Sequence, residues 1–189
     1  HQFLMLHTAV VEKNGTAVLL PAWPGSGKST LCAALVYRGW RLLSDEFGLI
    51  RPGTRSMLPF PRSIPLKNES IELLRNFAPE AVIGPVFPKT RKGDVAHLKA
   101  PPESLQRSAE LAEPGFVIFP RYTPAHQAQL RPLAKARAFM KLAGNAFNYE
   151  LLGEDGFSTV ATLIRACDTF LFRYDALDEA VQTLDRLVE

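Results

Sequence analysis

The stretch Ala22-Trp23-Pro24-Gly25-Ser26-Gly27-Lys28-Ser29 carries the densest chemistry in the chain. It has the form A-x-x-x-x-G-K-S and falls between a strand-like run and a helical one, the context in which such a loop cradles phosphate. Gly25 and Gly27 let the backbone turn so that successive N–H groups point inward at phosphate oxygens. The positive end of the following helix faces the same anion. Lys28 would reach the β- and γ-phosphates, and the Ser29 hydroxyl would ligate Mg²⁺. Thr30 adds a phosphate contact, and Trp23 and Pro24 stiffen the loop. The nucleotide-binding set is therefore Pro24, Gly25, Ser26, Gly27, Lys28, Ser29 and Thr30, with ATP and Mg²⁺ as the expected ligands. Ala22 stands where glycine is usual.

A second group of chemically able residues lies downstream. Ser44-Asp45-Glu46 follows the strand after the loop's helix. Carboxylates at the C-terminal end of a strand beside a phosphate loop are well placed for Mg²⁺ and for a nucleophile's proton. This makes Ser29, Asp45 and Glu46 the expected metal set. His7 sits upstream, in the first strand. A hairpin at Asn14-Gly15 would lay it across from the second strand and toward the loop's end of the sheet. Taken alone, a strand histidine is most often a satisfied core or edge residue.

These residues need elements to hold them. Phe3–Val11 and Thr16–Pro21 read as antiparallel strands around Asn14-Gly15. A helix follows from about Ser29 to Arg38, with Gly39 at its C-terminal cap. Trp40–Ser44 is a short buried strand, and Phe47–Arg51 extends it past a kink. The proline-rich stretch 54–67 is extended and irregular. Asn68 is placed to cap a helix over Glu69–Phe77. After a Pro/Gly-rich loop at 79–93, Asp94–Lys99 reads as a strand. Gly115–Tyr122 and Ala128–Pro132 read as two strands joined by a turn. Helices follow over 134–146 and 157–165, then a strand at Thr169–Tyr174. Leu177, Val181, Leu184 and Leu187 space out an amphipathic last helix. The sum is an α/β fold with a mixed β-sheet flanked by helices.

The bulk properties agree with a single catalytic domain over 1–189. The 189 residues are 47% hydrophobic and 22% charged, enough for one core. The net charge of +3 comes from scattered Lys and Arg rather than blocks, which argues against nucleic acid. No run approaches a membrane span, and no signal peptide is expected. Two cysteines, Cys32 and Cys167, read as buried, reduced thiols, and the expected location is cytoplasmic. No Cys/His cluster has zinc spacing.

Leu6-His7 in a strand, a hairpin, the Gly-rich loop, the run Tyr37-Arg38-Gly39-Trp40-Arg41-Leu42-Leu43 and then Ser44-Asp45-Glu46 resemble the catalytic domain of bacterial HPr kinase/phosphorylase. The chain is more similar to the HPr kinase-related kinase A family. That likeness lies in Gly25–Cys32, Leu66-Lys67-Asn68, Phe119-Pro120-Arg121-Tyr122 and Asn145-Ala146-Phe147-Asn148-Tyr149, and runs from residue 3 to the C-terminus. It implies the P-loop NTPase fold that the HPr kinase C-terminal domain shares with phosphoenolpyruvate carboxykinase. It also implies an N-terminal region ahead of this chain and a homo-oligomer. By the same resemblance Asp45 is the general base, Glu46 helps hold Mg²⁺, and His7 supports the acid or the phosphoryl group. Two departures stand out: Glu46 replaces a second Asp, and the glycine-rich stretch used for HPr and for the reverse reaction is missing.

The expected activity is an ATP-dependent kinase passing the γ-phosphoryl group to a hydroxyl on an unidentified protein, peptide or small molecule. Asp45, His7 and Lys28 form the expected catalytic set. The alternatives are an ATP-binding switch with little transfer, and a phosphorylase or carboxykinase-like activity. Lys67, Asn68 and Arg62 could close over the site with cationic contacts. For Arg62 a solvated position is the plainer reading. Lys67 and Arg121 are the substrate candidates, Arg121 because it ends a strong apolar strand. Asn145, Asn148 and Tyr149 would share one helix face. His97 and His126 read as structural or solvated.

Overall fold

The computed structural model describes residues 2–189; His1 lies outside them. Two strands, β1 (Leu4–Lys13) and β2 (Thr16–Pro21), form the hairpin. Its turn residues Asn14 and Gly15 both take positive φ, 53° and 78°, which suits the twist of a two-residue connection. Along β2, Val18 and Leu20 enter one core while Ala17 and Leu19 enter another. A strand covered on both faces must be apolar at successive positions, so its sequence runs without the usual alternation.

The glycine-rich loop 22–29 leads from β2 into α1 (Lys28–Val36), whose residues from Leu31 to Val36 are all buried. A helix apolar on every side belongs inside the core. It exits through Gly39 at φ 90°. The Trp40 amide donates to Leu35 O (3.1 Å) and the Gly39 amide to Val36 O (3.3 Å), the paired bonds of a glycine-ended helix. The chain then adds β3 (Arg41–Ser44), β4 (Phe47–Ile50) and β5 (Met57–Leu58). Both β3 and β4 pair with β1, at Val10–Glu12 and Leu4–His7 respectively, so the kink between them falls at Asp45-Glu46.

A small second sheet comes from the proline-rich region. It is built from β6 (Ile64–Lys67), β7 (Phe87–Thr90) and β8 (Gly93–Leu98), in the order β6-β8-β7. Ile64, Leu66, Ala96 and Leu98 pack into the core around α1 and α2 (Glu69–Phe77). The register pairs Pro65 with His97 and Lys67 with Val95. Alternation therefore puts those four on the opposite face.

The remaining elements are α3 (Pro102–Gln106), β9 (Glu113–Tyr122), β10 (Gln129–Pro132), α4 (Lys135–Ala143), α5 (Tyr149–Leu152), α6 (Glu154–Ala166), β11 (Asp168–Tyr174) and α7 (Leu177–Val188). The large sheet has eight strands in the order β10-β11-β9-β2-β1-β4-β5, with β3 also on β1. It is mixed: β9 runs parallel to β2 and β11, and the other pairs are antiparallel. Residues of α1, α2 and α7 fill the core on one face, and residues of α4 and α6 the core on the other. The molecule is thus an α/β fold with a mixed eight-stranded sheet flanked by helices. No helix among the described residues is long and apolar enough to cross a membrane.

Several expectations need correction. β9 and β10 do not pair with each other, because β11 lies between them. A turn signal marks where the chain reverses, not which strand it joins. The helix of 134–146 ends at Ala143, so Asn145, Asn148 and Tyr149 do not share a helix face. Residues 145–148 instead extend the sheet along β1. The amides of His7 and Phe147 donate to Asn145 O and Met5 O (2.7 and 2.8 Å). Asn148 accepts from the Met5 amide through Oδ1 and donates to Phe3 O through Nδ2. Asn68 precedes α2 but makes no side-chain cap; its Oδ1 accepts from the Asp94 amide instead (3.0 Å).

Charge is buried where β1 meets β3. Arg41 Nη1 lies 3.3 Å from Glu12 Oε2, both almost wholly covered, and Arg41 Nη2 also donates to the carbonyls of Arg107 and Glu110. Glu110 Oε2 also lies 3.7 Å from Arg41 Nη1, so losing Glu12 leaves the buried guanidinium only that half-exposed carboxylate and the two carbonyls. Glu12→Gln is therefore expected to lower unfolding free energy by about 3 kcal/mol, read as a lower urea midpoint at unchanged slope.

Candidate functional site

The glycine-rich loop is shaped by backbone that only glycine adopts freely. Gly25 and Gly27 have φ of 85° and 87°. A Cβ on Gly27 would stand 2.6 Å from Tyr174 Oη and 3.2 Å from Tyr122 Cβ. The strands β9 and β11 thus press on the loop from behind. The Tyr122 amide donates to Ser26 O (2.9 Å), and the Tyr174 hydroxyl to Gly27 O (3.2 Å). Gly27 N-caps α1 without any side-chain cap, so the first amides of the helix stay turned toward the loop.

Across from the loop stands Asp45, 6% exposed. Ser29 Oγ donates to its Oδ2 (2.8 Å). Lys28 Nζ donates to its Oδ1 (3.0 Å) and to its backbone carbonyl. Burial raises the Asp45 carboxyl above its ordinary value, against the pull of Lys28 and the Ser29 hydrogen bond. Its neighbour Glu46 is exposed, and the Glu46 carbonyl takes the Thr8 amide (3.3 Å).

His7 is half-buried at the corner where β2 ends and residues 145–148 take over the edge of β1. Its ring sits 5.5 Å from that of Phe147. Burial and the nearby Lys28 lower its basicity, with Glu46 and Asp45 opposing. The imidazole is therefore neutral at neutral pH, suited to a hydrogen bond rather than to ion pairing.

A cavity of about 750 Å³ joins these groups. Its walls include every residue from Trp23 to Thr30, His7, and the pair Asp45 and Glu46. Opposite them lie Pro65, Lys67, Val95 and His97 on the outer face of the small sheet, with Asn68, Ser70 and Lys92. Lys67 thus lines the cavity across from the loop. Arg121 does not line this cavity; it ends β9, and its neighbour Tyr122 makes the contact with the loop. His97 and Lys92 were not legible as site residues. His97 could have been found from its alternation with buried Ala96 and Leu98. Lys92 sits in the β7–β8 turn, which the sequence shows only as loop.

The carboxylates and hydroxyl present suit Mg²⁺ held partly by phosphate. Among the described residues no group of three or more His, Cys, Asp or Glu gathers as a metal cage. Mg²⁺ commonly takes one or two carboxylates and completes its shell with substrate phosphate and water. Ser29 Oγ and Asp45 Oδ2, already 2.8 Å apart, fit that role. No protein-family model matches the chain, and no curated protein matches it significantly.

Cys32 and Cys167 are both fully buried free thiols. Burial raises Cys32 well above its ordinary value and pushes Cys167 up to about 12. Since the thiolate is the reactive form, iodoacetamide at pH 8 is expected to leave both unmodified in the native protein and to label both in urea, as read by intact mass. A second expectation concerns the loop. If the loop takes magnesium–ATP, Gly27→Ala should weaken that binding more than tenfold in calorimetry, because a side chain there collides with Tyr174, while the far-UV spectrum stays that of the folded protein.

Proposed function

We propose that the chain is an ATP-dependent phosphotransferase that moves the γ-phosphoryl group to a hydroxyl acceptor. The observation that carries this reading is the convergence on one buried carboxyl. Asp45 holds both Lys28 and Ser29 of the glycine-rich loop. The group suited to take a proton therefore sits beside the groups suited to bind phosphate and metal. The resemblance to the HPr kinase-related kinase A family points the same way.

In this reading the fold is of the P-loop NTPase kind. The triphosphate lies on the amides of residues 24–30, with Lys28 moving from Asp45 to the β- and γ-phosphate oxygens. Ser29, Asp45 and Glu46 would hold Mg²⁺, which would supply charge neutralisation to those oxygens. Asp45 takes the proton from the acceptor hydroxyl. The acceptor oxygen's electron pair forms a bond to the γ-phosphorus. The bond from that phosphorus to the β–γ bridging oxygen breaks, and its electrons leave with ADP. His7, neutral and facing the same cavity, orients the acid or the transferring group. Positioning and charge stabilisation supply most of the rate.

Incubation with γ-labelled ATP and host extract should yield a labelled acceptor. Asp45→Asn is expected to cut that transfer roughly 10²–10⁴-fold, the usual contribution of a positioned base, with ATP affinity changed less than tenfold. Wild-type turnover in this variant removes Asp45 from the role of base. Absence of any heat on titrating the wild type with magnesium–ATP removes the kinase reading itself.

A further inference from the structure

A second, smaller compartment adjoins the first. It has a volume of about 310 Å³ and is lined by Ser44, Asp45, Glu46, Phe47, Arg62, Ser63, Pro65 and His97. Asp45, Glu46, Pro65 and His97 also line the larger cavity. Asp45 therefore stands at the junction, with the loop on one side and this compartment on the other.

The compartment's size and charge restrict that occupant. Its volume lies at the low end of ligand cavities, which span ~300–1,000 Å³. A compound of a few carbons fits within it. Its lining carries one permanent cation, Arg62, and the carboxyls of Asp45 and Glu46. No carboxylate lies within ion-pair distance of that guanidinium among the described residues, whereas the buried Lys28 is already paired with Asp45.

Arg62 is exposed to solvent but has an aromatic neighbour. Its guanidinium lies 5.6 Å from the centre of the Phe60 ring. Phe60 stands edge-on to Phe47 (6.5 Å) and is tied to β3 by its amide, which donates to Leu43 O (2.7 Å). Phe47 in turn packs on Phe147, and Phe147 on His7. An aromatic row thus runs from His7 to Arg62 along the acid pair. A guanidinium resting on an aromatic shelf and lacking a carboxylate partner presents a fork suited to a planar anion.

We propose that the phosphoryl acceptor is a small hydroxyl compound bearing a second, anionic group, a carboxylate or a phosphate, which Arg62 holds in the smaller compartment while the hydroxyl faces Asp45. This rests on the kinase reading above. The bond changes are those already given: the hydroxyl proton goes to Asp45, the acceptor oxygen bonds to the γ-phosphorus, and ADP leaves. Arg62 holds the anion and takes no part in them. His97, shared by both compartments, closes the wall between the anion and the phosphoryl group.

The test uses the wild-type chain, magnesium and γ-labelled ATP with matched hydroxyl compounds: glycerate, glycerol 3-phosphate, glycerol and ethanolamine. Labelled small-molecule product should form at least tenfold faster with one of the two anionic compounds than with glycerol, and whichever leads identifies carboxylate or phosphate. Arg62→Ala should then raise the acceptor KM more than tenfold with a much smaller change in kcat. Arg62→Lys should recover part of that loss, and both variants should keep the wild-type melting temperature. Equal rates across the panel, including none, overturn the inference, as does preference for glycerol or ethanolamine. An acceptor KM indifferent to Arg62 overturns it too. Magnesium–ATP binding, measured separately by calorimetry, shows whether the kinase reading survives such a result.

Discussion

One strand edge has to serve two neighbours. Along one side, β1 pairs first with β4 at Leu4–His7 and then with β3 at Val10–Glu12. The two partners keep one register along it, since Val10 faces Ser44 and His7 faces Phe47. Between them the chain bends at Asp45-Glu46, where the Glu46 carbonyl still takes the Thr8 amide. At that bend the Asp45 carboxyl sits where almost no water reaches it. A buried carboxylate is tolerable only with partners, and the partners at hand are Lys28 and Ser29 from the loop after β2. The pairing of β1 with three strands thus sets the distance between the glycine-rich loop and the acid.

The other edge of β1 solves a matching problem. β2 pairs with it only as far as Thr8, because the chain must depart at Pro21 to form the loop. Residues 145–148 fill the edge left open, and the two amide ends of Asn148 act as a further peptide group toward Phe3 and Met5. This fixes Phe147 against His7 and starts the aromatic row that reaches Arg62. The small sheet closes the site from above. Its inner residues bury against α1, so its outer face must show Pro65, Lys67, Val95 and His97 to the loop. The strained backbone of Asn68, at φ 50°, is held by bonds to Asp94, which keep β6 and β8 in register beside the cavity.

Much of this architecture was legible where the signal is local. Asn14-Gly15 specifies its hairpin because the turn needs two positive φ angles in succession. The span of α7 follows from the spacing of Leu177, Val181 and Leu184, and the limits of α2 from the polar and proline-rich flanks. The kink at Asp45-Glu46 was visible as a break between two apolar runs. Less legible were elements whose partners lie far away in sequence. β10 joins β11 rather than β9, since pairing depends on which apolar strand reaches the edge. Asn145 and Asn148 looked helical because helix-forming residues precede them. β7 was lost in a proline- and glycine-rich stretch.

The sequence alone determined the glycine-rich loop, the acid pair that follows it and the helices of plain amphipathic pattern. Each depends on torsions and contacts within a few residues. Tertiary structure decided which basic side chains meet the cavity: Lys67, Lys92, His97 and Arg62 line its two compartments, while Arg121 stays outside. The division has a simple cause. Backbone conformation is a property of a short segment, but the facing of a side chain depends on strand register. Register is set by how β6 buries Ile64 and Leu66 against a helix that ends 28 residues before β6 begins.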